Sequence, residues 1–205
     1  EGDPARQCLA DIESACERGK KLAQRFVTFS KGGSPVKKTV ALPKILKDAS
    51  EEVLKDSSCS VEFAFPDSLW RIEGDPGQLA QVIGNIVKNA LESMTGEGVV
   101  KVGAENVRIK KRPGASPGSP DYVKISIKDR GKGISERNLG KIFDPYFTTK
   151  EHASGLGLTT AYSIVKNHGG YLTVESEPAA GSTFFVYFPA ADTKHAEPQE
   201  AVRDT

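Results

Sequence analysis

Gln81-Val82-Ile83-Gly84-Asn85-Ile86-Val87-Lys88-Asn89-Ala90-Leu91-Glu92 is the stretch on which the fold turns. Together with Leu79, its Val82, Ile83, Ile86 and Ala90 form an apolar stripe at helical spacing. Gln81, Asn85 and Asn89 form a polar stripe at spacing four, on a single face. Asparagine is a mediocre helix former, because its side chain competes for nearby backbone groups. Two of them one turn apart therefore call for a reason. Either they line a solvated edge, or their amide oxygens hold a hard cation such as Mg²⁺. Just upstream, Asp75-Pro76 is a strong helix start: a side-chain cap, then proline in the first turn, where no amide donor is missed. The helix is expected to run to about Met94 and to stop in Thr95-Gly96-Glu97-Gly98.

Three further stretches carry candidate chemistry. In Val123-Lys124-Ile125-Ser126-Ile127-Lys128-Asp129-Arg130-Gly131-Lys132-Gly133-Ile134, strand alternation puts Val123, Ile125, Ile127 and Asp129 on one face. The Asp129 carboxylate then leaves the strand end on the core side, where it needs a donor to offset desolvation. An amino group on a bound base would serve, and Gly131 and Gly133 would let backbone approach it closely. Alone, Asp-x-Gly-x-Gly reads equally well as an ordinary turn. In Ile142-Phe143-Asp144-Pro145-Tyr146-Phe147-Thr148-Thr149-Lys150, aromatics bracket a proline ahead of a lysine within reach of a phosphate; a lone loop lysine is otherwise inert. Ser154-Gly155-Leu156-Gly157-Leu158 opens a helix. Glycines there either pack or expose amides toward an anion at the helix's positive end.

Around these stretches the chain reads as α and β in alternation. A helix is expected around Lys44 to Leu54, strands over Ser60 to Phe65, Val99 to Arg108 and Tyr122 to Lys128, and a helix from about Gly157 to Asn167. Tyr171 to Ser176 and Ser182 to Phe188 alternate as two strands around a turn at Pro178 to Gly181. Residues 110–120, with three prolines and two glycines beside Lys110, Lys111 and Arg112, read as a solvated hairpin loop. Residues 5–30 have the rhythm of an amphipathic helix through Leu9, Ile12, Cys16, Leu22, Phe26 and Phe29, stopped by Lys31-Gly32-Gly33-Ser34-Pro35. Residues 191–205 are polar and read as a disordered tail or linker.

Composition excludes little but is consistent with one core. The chain has 205 residues, 38% apolar and 27% charged, with 28 Lys plus Arg against 27 Asp plus Glu. So balanced a charge gives no global argument for nucleic acid or a membrane surface; anion binding must come from a local site. No apolar run approaches the roughly 20 residues that span a bilayer, and no signal peptide is evident. Cys8, Cys16 and Cys59 lack metal or disulfide spacing and read as packing residues.

The four stretches in this order resemble the N, first glycine, F and second glycine boxes of the histidine kinase branch of the Bergerat-fold (GHKL) ATPases. The resemblance covers about residues 40–189 and is close through Gln81 to Met94 and Ile142 to Lys150; the latter is similar to the nitrogen-sensor-kinase-like group. Asn167-His168-Gly169-Gly170, Val174-Glu175-Ser176 and Gly181-Ser182-Thr183-Phe184 fit the family's closing segment. The resemblance implies an α/β two-layer sandwich, a mixed sheet covered by helices on one face, with an N-terminal amphipathic helix before it. It implies ATP and Mg²⁺ as ligands: Asn89 as principal metal ligand with Asn85 beside it, and Asp129 on the adenine amino group. Gly131, Gly133 and Ile134 would line the base. Lys88, Lys150, Ser154, Gly155, Leu156, Gly157 and Leu158 complete the implied nucleotide-binding set, and residues 145–154 would be the lid. Ala153 stands where a glycine is common in such boxes. If that backbone needs positive φ, alanine costs about 1 kcal/mol there, and the lid is expected to be less ordered.

The resemblance also divides kinase from hydrolase. Hydrolases of this fold, such as gyrase and MutL, place a glutamate four residues before the magnesium asparagine; here that position is Asn85, and an amide cannot take water's proton. Histidine kinases carry the phosphate acceptor as His followed by an acid, on a helix. His152, His168 and His195 do not fit: they read as a lid residue, a packed helix end and a tail residue. Residues 1–33 resemble part of the dimerisation and phosphotransfer hairpin, so the acceptor is expected upstream of Glu1, the chain itself binding ATP without labelling itself. A response-regulator receiver domain and, in the parent protein, a homodimer are the implied partners, with a cytoplasmic location and a parent for which a membrane anchor stays open. Two rivals remain at this point: an anti-sigma-type serine kinase, and a nucleotide sensor that transfers nothing.

Overall fold

The computed structural model describes residues 35–109, 121–150 and 153–191. The chain divides into two units, Glu1–Ser34 and Pro35–Thr205, and every described residue belongs to the second. The expected arm, basic hairpin loop, His152 and tail beyond residue 191 lie outside the described residues.

In chain order the elements are β1 (Lys38–Val40), α1 (Leu42–Leu54), β2 (Cys59–Ala64), β3 (Ile72–Gly74), α2 (Pro76–Ser93), β4 (Gly98–Arg108), β5 (Asp121–Lys128), α3 (Glu136–Leu139), α4 (Gly157–Asn167), β6 (Tyr171–Glu177) and β7 (Gly181–Pro189). Five strands form one mixed sheet in the order β2-β4-β5-β7-β6. The β2–β4 pair is parallel and the other three pairs are antiparallel. A parallel pair needs a long crossover, and β3 with α2 supplies it. Registers such as Val102 opposite Ile127, and Ile127 opposite Phe184, align the apolar residues of neighbouring strands on one face.

That face is covered by α1, α2 and α4, with α2 packed against both of the others. Leu42 and Leu46 from α1, Ile83 and Ile86 from α2, and Ile125, Ile127, Phe184 and Phe188 from the sheet are essentially sealed from water. Each such side chain contributes roughly 1.5–3 kcal/mol by leaving water. The opposite face carries the Lys101–Glu62 and Lys124–Glu105 ion pairs. Pairs this exposed contribute little to stability, so the helix-covered face holds the fold together.

The expected elements are present, with boundaries moved by one or two residues. α1 starts at Leu42 and places Pro43 in its first turn. Asp75 caps α2, accepting from the N–H groups of Gly77 (2.9 Å) and Gln78 (3.1 Å); it also accepts from Val36 N–H at 3.1 Å. These bonds, that from Gln78 foremost, hold its carboxyl below its ordinary pKa. Three elements have no counterpart in the sequence reading. β1 and β3, three residues each, pair as a separate antiparallel ribbon, and α3 has four residues. All three are too short to show a period.

His168 ends α4 as a structural clasp. Its Nδ1–H donates to the Ile164 carbonyl (2.8 Å), and Nε2 accepts the Asp75 N–H (3.0 Å), joining the end of α4 to the start of α2. The ring is buried and edge-on to Phe188. Burial, opposed by the Ile164 bond, lowers its pKa below the ordinary 6.5. The neutral ring is the one that fits, since a proton on Nε2 would meet the Asp75 N–H. The folded chain thus binds fewer protons than the unfolded one, and this stabilisation is full above pH 6.5 and lost as pH falls below it. Urea unfolding from pH 7.5 to 5 should show a falling midpoint, and His168→Gln should flatten that dependence while lowering stability at pH 7.5.

Candidate functional site

Asp129 follows β5 with its side chain turned inward and 1% exposed. Its Oδ1 accepts from Gly131 N–H (2.8 Å) and Ser182 N–H (3.2 Å), with Ser93 Oγ 3.1 Å away. Ser93 Oγ also lies 2.8 Å from the Ala90 carbonyl, so its one proton serves one acceptor at a time. Oδ2 has no partner among the described residues and is buried. A buried carboxylate oxygen left unpaired is costly, and a donor from outside the chain would offset that cost.

The loop after Asp129 is pinned so that the carboxylate cannot turn away. Gly133 has φ +68°, and a Cβ there would lie 2.0 Å from the Glu177 carbonyl oxygen; at Gly131 it would lie 2.0 Å from Ser93 Oγ. Lys132 N–H donates to the Ser93 carbonyl (3.0 Å) and Ala179 N–H to the Lys132 carbonyl (2.8 Å). Ile134 N–H donates to Ser176 Oγ (2.8 Å). The turn between β6 and β7 and the end of α2 therefore clamp this loop from two sides.

One face of α2 meets all the other stretches. At its C-terminal end Ser93 touches Asp129 and Gly131. In its last turns, the Lys150 ammonium donates to Asn89 Oδ1 (3.0 Å) and Glu92 Oε2 (2.7 Å). One turn earlier, Asn85 lies about 4.0 Å from where a Cβ of Gly157 would be. Asn85 is therefore beside the start of α4, while the cation in the structure is shared by Asn89 and Glu92. Lys88 is exposed, at the rim of the same arc.

The loop before α4 is packed against the aromatic loop. Gly155, at φ +66°, packs its backbone on that of Tyr146, where a Cβ would approach within 2.4 Å. Tyr146 itself holds φ +66°, an unusual conformation for a bulky residue. The buried Thr159 hydroxyl donates to the Asp144 carbonyl (3.1 Å), tying the aromatic loop to α4. Leu156 is buried at the cap position and Leu158 packs on the core, so their side chains anchor the helix. What Ser154 to Leu158 can present outward is mainly backbone, and no side chain caps the first amides of α4.

The sequence profile described as "Histidine kinase-, DNA gyrase B-, and HSP90-like ATPase" matches residues 74–192. The chain belongs to this ATPase family. It is 32% identical over 196 residues to the sensor histidine kinase ZraS of Escherichia coli (strain K12), covering 94% of this chain and 40% of that protein. It is 38% identical over 123 residues to sporulation kinase A of Bacillus subtilis (strain 168), covering 60% of this chain and 18% of that protein. The chain thus spans well under half of these curated relatives. Among solved structures, the catalytic domain of histidine kinase ThkA superposes with a TM-score of 0.62 at 26% identity, covering 75% of this chain and 95% of that one. Full-length ShkA in complex with AMPPNP shares the fold, with a TM-score of 0.72 at 21% identity over 93% of this chain and 40% of that one.

Within this ATPase fold, Ser93 and Glu92 are the residues that the sequence reading passed over. Ser93 continues the spacing of Gln81, Asn85 and Asn89 by one more step of four, a signal that was available. Glu92 falls between Gln81 and Asn85 around the axis at about 100° per residue. Ser176 and Ser182 gave no signal, because their role comes from strand register. Among the described residues no three His, Cys, Asp or Glu side chains converge. A hard ion shared with a phosphate needs only one or two protein oxygens, however, and Asn89 with Glu92 already holds a cation, the Lys150 ammonium. Gly133→Ala should cost about 1–3 kcal/mol, from positive φ and the Glu177 carbonyl. A neutral result in urea denaturation would contradict the clamped loop.

Proposed function

We propose that this chain is the Mg·ATP-binding catalytic domain of a two-component sensor histidine kinase, and that its γ-phosphate goes to a histidine and thence to a response-regulator aspartate. The observation that carries the reading is the orphaned, buried Oδ2 of Asp129, which an adenine amino group would satisfy. Family membership supports ATP as the nucleotide, and the likeness to a sensor histidine kinase and a sporulation kinase supports the kinase class.

In this reading the base packs against the loop of Gly131, Gly133 and Ile134. The phosphates extend along the polar face of α2 toward the start of α4. Ser93 to Asn85 spans about 12 Å of helix at 1.5 Å per residue, a length suited to a nucleotide laid from base to phosphates. Amides of Gly155 to Leu158 would receive the phosphates at the positive helix end. Asn89 would hold Mg²⁺, which when bound neutralises phosphate charge during transfer. Asn85 stands where a hydrolase needs a general base, so water is not activated and the phosphoryl group is kept for transfer. His168 is committed to Asp75 and Ile164, which leaves it unsuited to accept phosphate. The acceptor histidine would be presented on a helix by the parent dimer.

ATP binding measured with and without Mg²⁺ tests the assignment. Asp129→Asn should weaken binding about ten- to a hundredfold, from the unpaired buried groups it leaves, and Asn89→Ala should remove most of the magnesium dependence. Wild-type affinity in both variants would overturn the site. Mixed with a histidine-bearing hairpin from a related kinase and labelled ATP, the chain should give acid-labile phosphohistidine on the hairpin and no label on itself. Acid-stable label would favour a serine kinase, and no transfer to any acceptor a nucleotide sensor.

A further inference from the structure

Asn89 and Glu92 lie one turn apart on α2 and share a single ammonium, with Asn89 Oδ1 at 3.0 Å and Glu92 Oε2 at 2.7 Å from Lys150 Nζ. The pair is partly shielded, with side-chain exposures of 23% for Lys150 and 36% for Glu92. Lys150 comes from the aromatic loop, whose backbone is packed on the glycine before α4. One cation position therefore joins the helix, the loop and the entrance to α4.

Resting on the nucleotide-binding reading above, we propose that Glu92 is a second oxygen ligand of the metal site, and that Lys150 is the resident counter-ion which a divalent ion must displace. Two oxygens, one of them anionic, form a better face for a hard divalent cation than for an ammonium, because carboxylate and amide oxygens are its preferred donors. An ammonium on a flexible stem is a weak, exchangeable occupant of the same place. Metal entry then frees Lys150, and with it the loop through residue 150, to turn toward the phosphates. Loading of the metal and rearrangement of the loop become one event, and the exchange conserves a cation at the Asn89–Glu92 pair throughout.

Mn²⁺ is the probe, because its binding is read directly by electron paramagnetic resonance, without reference to catalysis. It is titrated into the full 205-residue chain saturated with ADP. Glu92→Gln should weaken Mn²⁺ binding roughly tenfold or more, in the range seen when a group supporting a metal is removed. Lys150→Gln should tighten it severalfold, since nothing then competes for the pair. Were Glu92 only a latch for the lysine, Glu92→Gln would release Asn89 and Mn²⁺ would bind as tightly as in wild type or more so; that result overturns the ligand role. Weaker Mn²⁺ binding in Lys150→Gln overturns the counter-ion role. ADP affinity in EDTA is measured alongside: its absence from wild type would contradict nucleotide binding itself, whereas intact ADP binding with Mn²⁺ affinity unmoved by Glu92→Gln contradicts only the present inference.

Discussion

A carboxylate buried at the end of a sheet's central strand is expensive, and the architecture around Asp129 is arranged to tolerate it. Oδ1 is satisfied by two backbone amides, one from its own loop and one from β7, with the Ser93 hydroxyl at hand. Oδ2 is left without a donor. A fold seeking stability alone would place an apolar residue here, since replacing both partners of a buried polar contact costs little. That the charge is kept, fixed in orientation and half satisfied is the feature from which function follows.

Everything that fixes Asp129 also fixes the geometry of the site. Alternation along β5 turns its side chain inward, and the register of β5 with β7 brings the Ser182 amide to it. The glycines at 131 and 133 allow the loop to be pressed against Ser93 and the β6–β7 turn. Ser93 in turn is the last residue of α2, whose N-terminal end is clasped by His168 and whose apolar face is buried on the sheet. The C-terminal half of the helix works as a ruler, with the carboxylate beside Ser93, the Lys150 ammonium on Asn89 one turn earlier and the start of α4 beside Asn85 one turn before that. In the proposed site, the distance between base and phosphates would be set by helix pitch rather than by flexible side chains.

Most of this was legible in the sequence, for identifiable reasons. The apolar stripe of α2, its Asp75-Pro76 start and the alternation of β5 are strong periodic signals, and each corresponds to what the chain forms. The inward turn of Asp129 followed from counting alternate residues from Val123. What was not legible depends on elements that are distant in sequence or too short to have a period. The β1–β3 ribbon pairs residues more than thirty apart. The bonds of Ser176 and Ser182 exist only once β6 and β7 are in register. Glu92 stood in the quoted stretch but acquired meaning only when Lys150, from a loop far along the chain, was found on it.

The account depends on Asp129 Oδ2 awaiting an N–H donor, and the most direct measurement is calorimetric binding of ATP against inosine triphosphate. The two nucleotides share sugar and phosphates and differ where adenine carries an amino donor and hypoxanthine a carbonyl acceptor. Two acceptors face to face in a buried site are rejected strongly, so ATP should bind at least about a hundredfold more tightly. Equal affinity for the two would show that the orphaned oxygen does not read the base, and would contradict the account at its root.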